Sequence, residues 1–314
     1  MTKREVKQLY FWCNLALIIA AMILGLSFVA QKAGMEFVGP FTFNTLRFFI
    51  GSFCLVPVML FMNRVEPKTY SNKVLMKAGV SAGIVLFFAF SINQYCMMYA
   101  SAGKAGFLTA LYIIFVPVLA VFLKQKISNN VFIGLVFALV GVYLLCAKGG
   151  FSFELWDIFL VVSAFFFAVH ILIVSHFSKK VSPVKLSCLQ FLTAGVLSLP
   201  LMIMENPQLS AIIAGMKPIL FIGVIVTGVA YTLQIFGQKA TRPVVATLIL
   251  SSEAVFAVLG GMFILGETLG AREILGCVVM VAAIIISQMR RKMPQRLLQL
   301  MHYFLMAAIL QMSR

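Results

Sequence analysis

The chain has 314 residues, of which 62% are apolar and 11% charged, and its formal net charge is +16. Soluble domains are about 45–50% apolar and about 25% charged, so this chain lacks the polar residues to cover a soluble globule, and its hydrophobicity excludes a disordered one. In a soluble protein the basic excess would point to nucleic acid; here Lys and Arg fall between apolar runs, so they read as topology signals and not as a nucleic-acid surface.

A membrane-spanning helix needs about 20 apolar residues. Ten runs meet or approach that length. In chain order they are Trp12–Ala30, Phe41–Phe61, Ala78–Tyr99, Ala105–Leu123 and Val131–Ala147. Then come Ile158–Phe177, Leu186–Met204, Ile219–Phe236, Pro243–Leu265 and Ile274–Met289. The runs are continuous, which excludes the alternating strands of an outer-membrane barrel. The loops between them are too short to hold a soluble domain. Lys3, Arg4 and Lys7 precede the first run as in a signal peptide, yet no clear small-x-small cleavage site follows, so the run reads as a retained first helix. After Met289, residues 290–314 form a basic tail whose apolar stretch Leu297–Met312 carries a polar stripe of Gln295, Gln299 and His302. That pattern predicts an interfacial amphipathic helix, with an eleventh span as the alternative.

Basic residues alternate between loops. One side carries 19, from Lys3 through Lys73, Lys124, Lys180, Lys239 and Arg290 to Arg314. The other side carries 5, namely Lys32, Lys104, Lys148, Lys217 and Arg272, and Arg47 lies inside a span. The positive-inside rule then places both termini in the cytoplasm. The six cysteines, Cys13, Cys54, Cys96, Cys146, Cys188 and Cys277, all lie in apolar runs without a CxxC pair. They read as small buried hydrophobes, not as disulfides or a zinc site.

The chain also repeats itself. Gln94-Tyr95 through Ala100-Ser101 aligns with Gln234-Ile235 through Ala240-Thr241, Leu46-Arg47-Phe48 with Leu189-Gln190-Phe191, and Ile133-Gly134 with Leu275-Gly276. Each half holds five spans. Five is odd, so the second half enters the membrane from the opposite face, the construction of many secondary transporters. The expected architecture is an all-α polytopic membrane protein of ten transmembrane helices in two five-helix inverted repeats. Its segments are an N-terminal piece 1–11, a first repeat 12–147, a second repeat 148–289 and the tail 290–314.

Four stretches make the chain similar to a known family. They are Phe28–Met35, Gly39–Asn44 running into Leu46-Arg47-Phe48, Ser101–Thr109 ending at Val116-Pro117, and Ser252–Phe256 running to Leu265–Leu269. In these the chain resembles the drug/metabolite transporter superfamily, in its EamA-type branch. The resemblance implies ten helices in two EamA repeats around a central cavity. It also implies export or facilitated passage of small metabolites, and a bacterial inner membrane. The chain departs from the family at two places. Gln125 stands where the first repeat usually has an acidic residue, which Glu267 keeps in the second. Ala254 stands where a proline usually follows the acidic residue of the ninth span, which argues against a kink there.

Charges inside spans are expensive, so they are functional candidates. Glu253 lies mid-span on a face with Ala246, Ala257 and Gly260. It is a candidate for binding a substrate cation or carrying a proton, or else a structural hydrogen-bond partner. Arg47 is a candidate for a substrate carboxylate or for pairing with Glu253. Its off-centre position and neutral counterpart Gln190 favour a snorkelling or carbonyl-capping arginine instead. Polar stripes complete the candidate site: Ser91, Gln94 and Tyr95, with Asn93 adjacent, on the third span; Thr109 and Tyr112 on the fourth; Thr227, Tyr231 and Gln234 on the eighth. Such groups line a wet cavity or bond helix to helix. Gln94 and Gln234 are expected at equivalent repeat positions on a pseudo-twofold axis. His170 in the sixth span is another candidate, though a neutral, bonded histidine is the simpler expectation. Gly79 and Gly83 form a GxxxG helix contact, and Pro57, Pro117 and Pro200 are in-span bends or hinges.

Nothing in the pattern resembles a catalytic triad, a metal cluster or a GxxxxGK[ST] nucleotide loop. No cofactor, no metal and no catalytic residue are therefore expected. The function read from the residues is ATP-independent transport of a small-molecule substrate, amino acids or related compounds, across a lipid bilayer by alternating access, as an exporter. Protons are a candidate coupling ion. A lipid-acting membrane enzyme and a non-transporting receptor are the alternatives; the first lacks a clustered nucleophile or base and the second lacks extramembrane domains.

Overall fold

The computed structural model describes residues 3–65, 70–100, 102–125, 127–146, 154–265 and 270–289. The tail 290–314 and Glu267 lie outside the described residues. Among the described residues, nine helices are long and apolar enough to cross a membrane, and a shorter apolar helix, Asn129–Leu145, makes a tenth. In chain order they are α1 (Lys3–Met35), α2 (Pro40–Val65), α3 (Asn72–Cys96), α4 (Ala102–Ala110 and Tyr112–Phe122) and α5 (Asn129–Cys146). The second half holds α6 (Leu155–Phe177), α7 (Pro183–Glu205), α8 (Met216–Gly237), α9 (Pro243–Leu250 and Glu253–Leu265) and α10 (Ala271–Gln288). A short helix, Leu209–Ala214, links α7 to α8.

Local chemistry explains the helix ends. Pro40, Pro183 and Pro243 each open a helix after a tight turn, where the missing N–H costs nothing. Asn206 closes α7 in the left-handed region at φ 47°, which asparagine tolerates. Glu205 then reaches across to α2, accepting from the Phe41 and Thr42 amides at 2.9 and 2.6 Å. One carboxylate thus closes one helix and caps another at its positive end.

The packing is reciprocal. α2 packs on α7, and α5 on α10. α3 packs on α6 as α8 packs on α1; α3 packs on α7 as α8 packs on α2; α4 packs on α6 as α9 packs on α1. Each of these main cross-pairs has its partner with the halves exchanged, so the bundle has a pseudo-twofold axis. The halves also run oppositely. The start of α1 meets the α8–α9 turn, where Thr241 Oγ1 donates to Asn14 at 2.9 Å. The start of α6 lies at the other end, with Trp156 stacked on Tyr99 at 4.2 Å. Asn130 donates to the Met289 carbonyl, so α10 ends at the same end as α1 begins.

Close approach is set by missing side chains. Gly79 and Gly83 do form a helix contact, against α7: a Cβ on Gly83 would sit 2.5 Å from the Thr193 Cβ and 2.6 Å from the Gln190 carbonyl oxygen. The prolines are not where the spans break. Pro57, Pro117 and Pro200 all lie inside continuous helices. α4 breaks at Leu111 instead, and α9 breaks at Ser251-Ser252 despite having alanine, not proline, at position 254. Each serine there turns its hydroxyl back on the chain, Ser251 to the Leu248 carbonyl and Ser252 to the Ile249 carbonyl. Serine competes with the helix ladder in this way, so the interruption needs no proline.

Candidate functional site

A cavity of about 80 Å³ lies where the two halves meet. Seven helices supply its polar lining: Ser27 and Gln31 from α1, Arg47 from α2, Asn93 from α3, Thr109 and Tyr112 from α4, His170 from α6, Tyr231 and Gln234 from α8, and Glu253 from α9. Small-molecule pockets usually measure about 300–1,000 Å³. The space therefore holds a few waters, and the conformation is closed around its centre.

Arg47 is fully buried, at 1% exposure. It does not snorkel, and its side chain lines the cavity between the halves. Its Nε donates to Thr227 Oγ1 at 3.3 Å, its guanidinium lies 4.2 Å from the Phe90 ring centroid, and Nη1 has no hydrogen-bond partner. A buried cation with an idle donor costs free energy unless something pairs with it. Across the cavity the Tyr112 hydroxyl donates to Glu253 Oε1 at 3.1 Å. Asn93 Nδ2 donates to Thr109 Oγ1 at 2.6 Å. His170 Nε2 donates to Gln190 Oε1 at 3.0 Å, because an amide oxygen can only accept. The small face of α9 turns to α1, where Gly25 lies against Ala257 and Gly260 against Leu26.

Helix ends give the register between halves. The bond Phe37 N–Gly34 O recurs as Lys180 N–Phe177 O, 143 residues on. Pro40 and Pro183 open α2 and α7 at the same interval. α3 and α8 end at Cys96 and Gly237, 141 residues apart, and the second pieces of α4 and α9 start at Tyr112 and Glu253, again 141 apart. The cavity residues then pair as Leu24 with Phe167, Ser27 with His170, Arg47 with Gln190, Phe90 with Tyr231, Asn93 with Gln234, Thr109 with Leu250, and Tyr112 with Glu253. The Tyr112–Glu253 bond thus joins two symmetry-related residues and lies on the axis. The set's one arginine and one carboxylate, Arg47 and Glu253, each stand opposite an uncharged residue, Gln190 and Tyr112.

This register corrects the expected pairing of Gln94 with Gln234. Gln234 lines the cavity; Gln94 does not, and instead donates to the Met35 sulfur with its Oε1 unpartnered. The cause is a π-helical stretch, Ile222–Ala230, in α8. π turns hold one residue more than α turns and recur at functional sites. α3 has none, so Gly83 and Gly223 are 140 residues apart while the cavity residues beyond the π stretch are 141 apart. Ser91 is buried outside the cavity with its hydroxyl unpartnered. Tyr95 is 36% exposed near the bundle end, stacked on Phe41. Thr109, Tyr112, Tyr231, His170, Arg47 and Glu253 are brought together. Sequence reasoning missed Ser27 and Gln31, and their i, i+4 spacing on α1 was the signal available.

Two segments, 11–147 and 154–289, each match the EamA-like transporter family. The chain belongs to that family. A relative from Archaeoglobus fulgidus is 30% identical over 291 residues, 91% of this chain and 88% of its own, and is described as an uncharacterized transporter. A second uncharacterized transporter, from Clostridium kluyveri, is 22% identical over 274 residues, 84% of this chain and 87% of its own. A crystal structure at 16% identity superposes with a TM-score of 0.74, covering 88% of this chain and 95% of the other, which speaks for the fold alone. The EamA chain described here is a multi-pass membrane protein of a transporter family.

Proposed function

We propose that the chain is a secondary transporter that exports small zwitterionic metabolites, amino acids or related compounds, by alternating access. The observation that carries this reading is the pair of opposite, ionisable groups in one closed central cavity, Arg47 with an idle Nη1 and Glu253 bonded to Tyr112. A guanidinium suits a carboxylate, and a carboxylate suits an ammonium group. When the substrate ammonium leaves Glu253, a proton takes its place, which couples export to proton entry. Two similar halves of opposite sense can exchange roles, so outward- and inward-open states differ little in energy. The charge alternation of the loops supports an inner-membrane location with both termini in the cytoplasm.

The test starts with a metabolite-library stabilisation screen on detergent-purified protein, followed by flux of the hits in proteoliposomes. Flux is expected without ATP and is expected to fall at least tenfold in Arg47→Gln, which gives the cavity two neutral glutamines at the paired positions. Glu253→Gln is expected to lose the dependence of flux on a pH gradient. Flux that requires ATP, or full flux with unchanged pH dependence in both variants, overturns the proposal.

A further inference from the structure

At the end of the bundle that carries the N-terminus, a second cavity of about 540 Å³ opens between α4, α6 and the start of α9. It is lined by Leu123, Leu172 and Pro243, by the neutral polar Gln125 and Ser175, and by His176, Lys179, Lys180 and Arg242, whose basic groups surround its mouth. Among the described residues that line it there is no carboxylate. Lys180 Nζ donates to His176 Nε2 at 2.7 Å, so the imidazole is spent on a lysine. Three cations around one mouth repel each other until an anion joins them.

The depth of the mouth bears on what that anion is. Lys179 and Lys180 follow the end of α6, and Arg242 immediately precedes α9. They stand at the plane where the spans end, the level of lipid headgroups. The first-turn amides of α9 face the same end, and helix N-termini favour anions. Beside the mouth, Val121 and Phe122 at the end of α4 and Leu123 just after it are 57%, 79% and 61% exposed. An apolar strip therefore leads from the basic mouth along the membrane-facing side of the bundle.

We propose that this cavity seats the phosphate of an anionic phospholipid from the leaflet at that end, with the acyl chains along the exposed face of α4. Basic pockets between helices at one membrane face take anionic headgroups in this way. The occupant bridges α4, α6 and α9, the helices that carry Tyr112, His170 and Glu253 to the central cavity. The inference does not depend on which solute crosses.

The test is native mass spectrometry of the full-length protein, comparing retention of phosphatidylglycerol with that of phosphatidylcholine. Each cation near a membrane surface contributes about fivefold, so three predict a preference on the order of a hundredfold. The K179Q/K180Q/R242Q variant is expected to lose most of it. The K7Q/K73Q/K239Q variant removes equal charge at the same end outside the cavity and is expected to keep it. R242Q alone, the mildest change, is expected to lower the preference about fivefold. Equal losses in both triple variants, or no preference in the parent protein, overturn the assignment. Full displacement of phosphatidylglycerol by millimolar inorganic phosphate also overturns it, in favour of a free-phosphate site.

Discussion

The bond on the pseudo-twofold axis can be measured directly. Tyr112→Phe removes one hydroxyl and little volume, and it takes the tyrosine donor from Glu253. The 3.1 Å separation is long for a hydroxyl on a carboxylate, where about 2.5–2.7 Å is usual for the strongest cases. Interhelical hydrogen bonds in membranes average about 0.6 kcal/mol and reach about 1.7. A charged acceptor raises the figure and the long distance lowers it, which leaves a coupling of about 1 kcal/mol. The assay is a double-mutant cycle of Tyr112→Phe, Glu253→Leu, which removes the acceptor at similar volume, and the combination, followed by unfolding with sodium dodecyl sulfate in mixed micelles. An interaction energy within about 0.3 kcal/mol of zero, the usual scatter for independent sites, would mean the two side chains do not meet. It would also remove the register that pairs them across the axis.

Other outcomes follow from the same geometry. Gln94→Met should leave substrate flux unchanged and stability equal or higher, because a buried unpaired acceptor is removed; Asn93→Leu, one residue away, should cut flux about tenfold or more by breaking the bond to Thr109. Gly83→Val should destabilise the bundle by about 1–3 kcal/mol in the same unfolding assay, because its Cβ meets backbone as well as side chain on α7. Single cysteines in place of Lys73 and Lys239 should label with an impermeant reagent from one face of the membrane, and those in place of Asn206 and Gln208 from the other. Labelling of all four from one side would contradict the opposed ends of the bundle.

Much of the fold is legible in the sequence because lipid imposes blunt rules. Apolar run length marks spans, and an odd number of spans per half inverts the second. Trp12–Ala30 and Ile158–Phe177 fall inside α1 and α6 for that reason. The candidate site is legible in part. A charge inside a span advertises itself, so Glu253 and Arg47 stand out, although the environment of Arg47 does not: its pairing with the Phe90 ring depends on helix rotation, which residue spacing alone leaves open. The π stretch in α8 is the clearest limit. Nothing in Ile222–Ala230 marks a wide turn, and one extra residue moves the equivalence from Gln94 to Asn93. The interruption of α9 shows a related blind spot, since two serines accomplish by back-bonding what proline is expected to do.

The mismatch between the halves at their meeting point has a consequence for any guest. Arg47 opposite Gln190, and Glu253 opposite Tyr112, turn a chamber with twofold walls into one with a plus pole and a minus pole. A dipolar substrate of the proposed kind would be held one way round, and the flipped pose that the backbone symmetry would permit would meet the wrong charge at both tips. In the proposed alternating-access cycle, rocking the bundle would reverse which side of the membrane the chamber sees, while the molecule inside would keep its bearing.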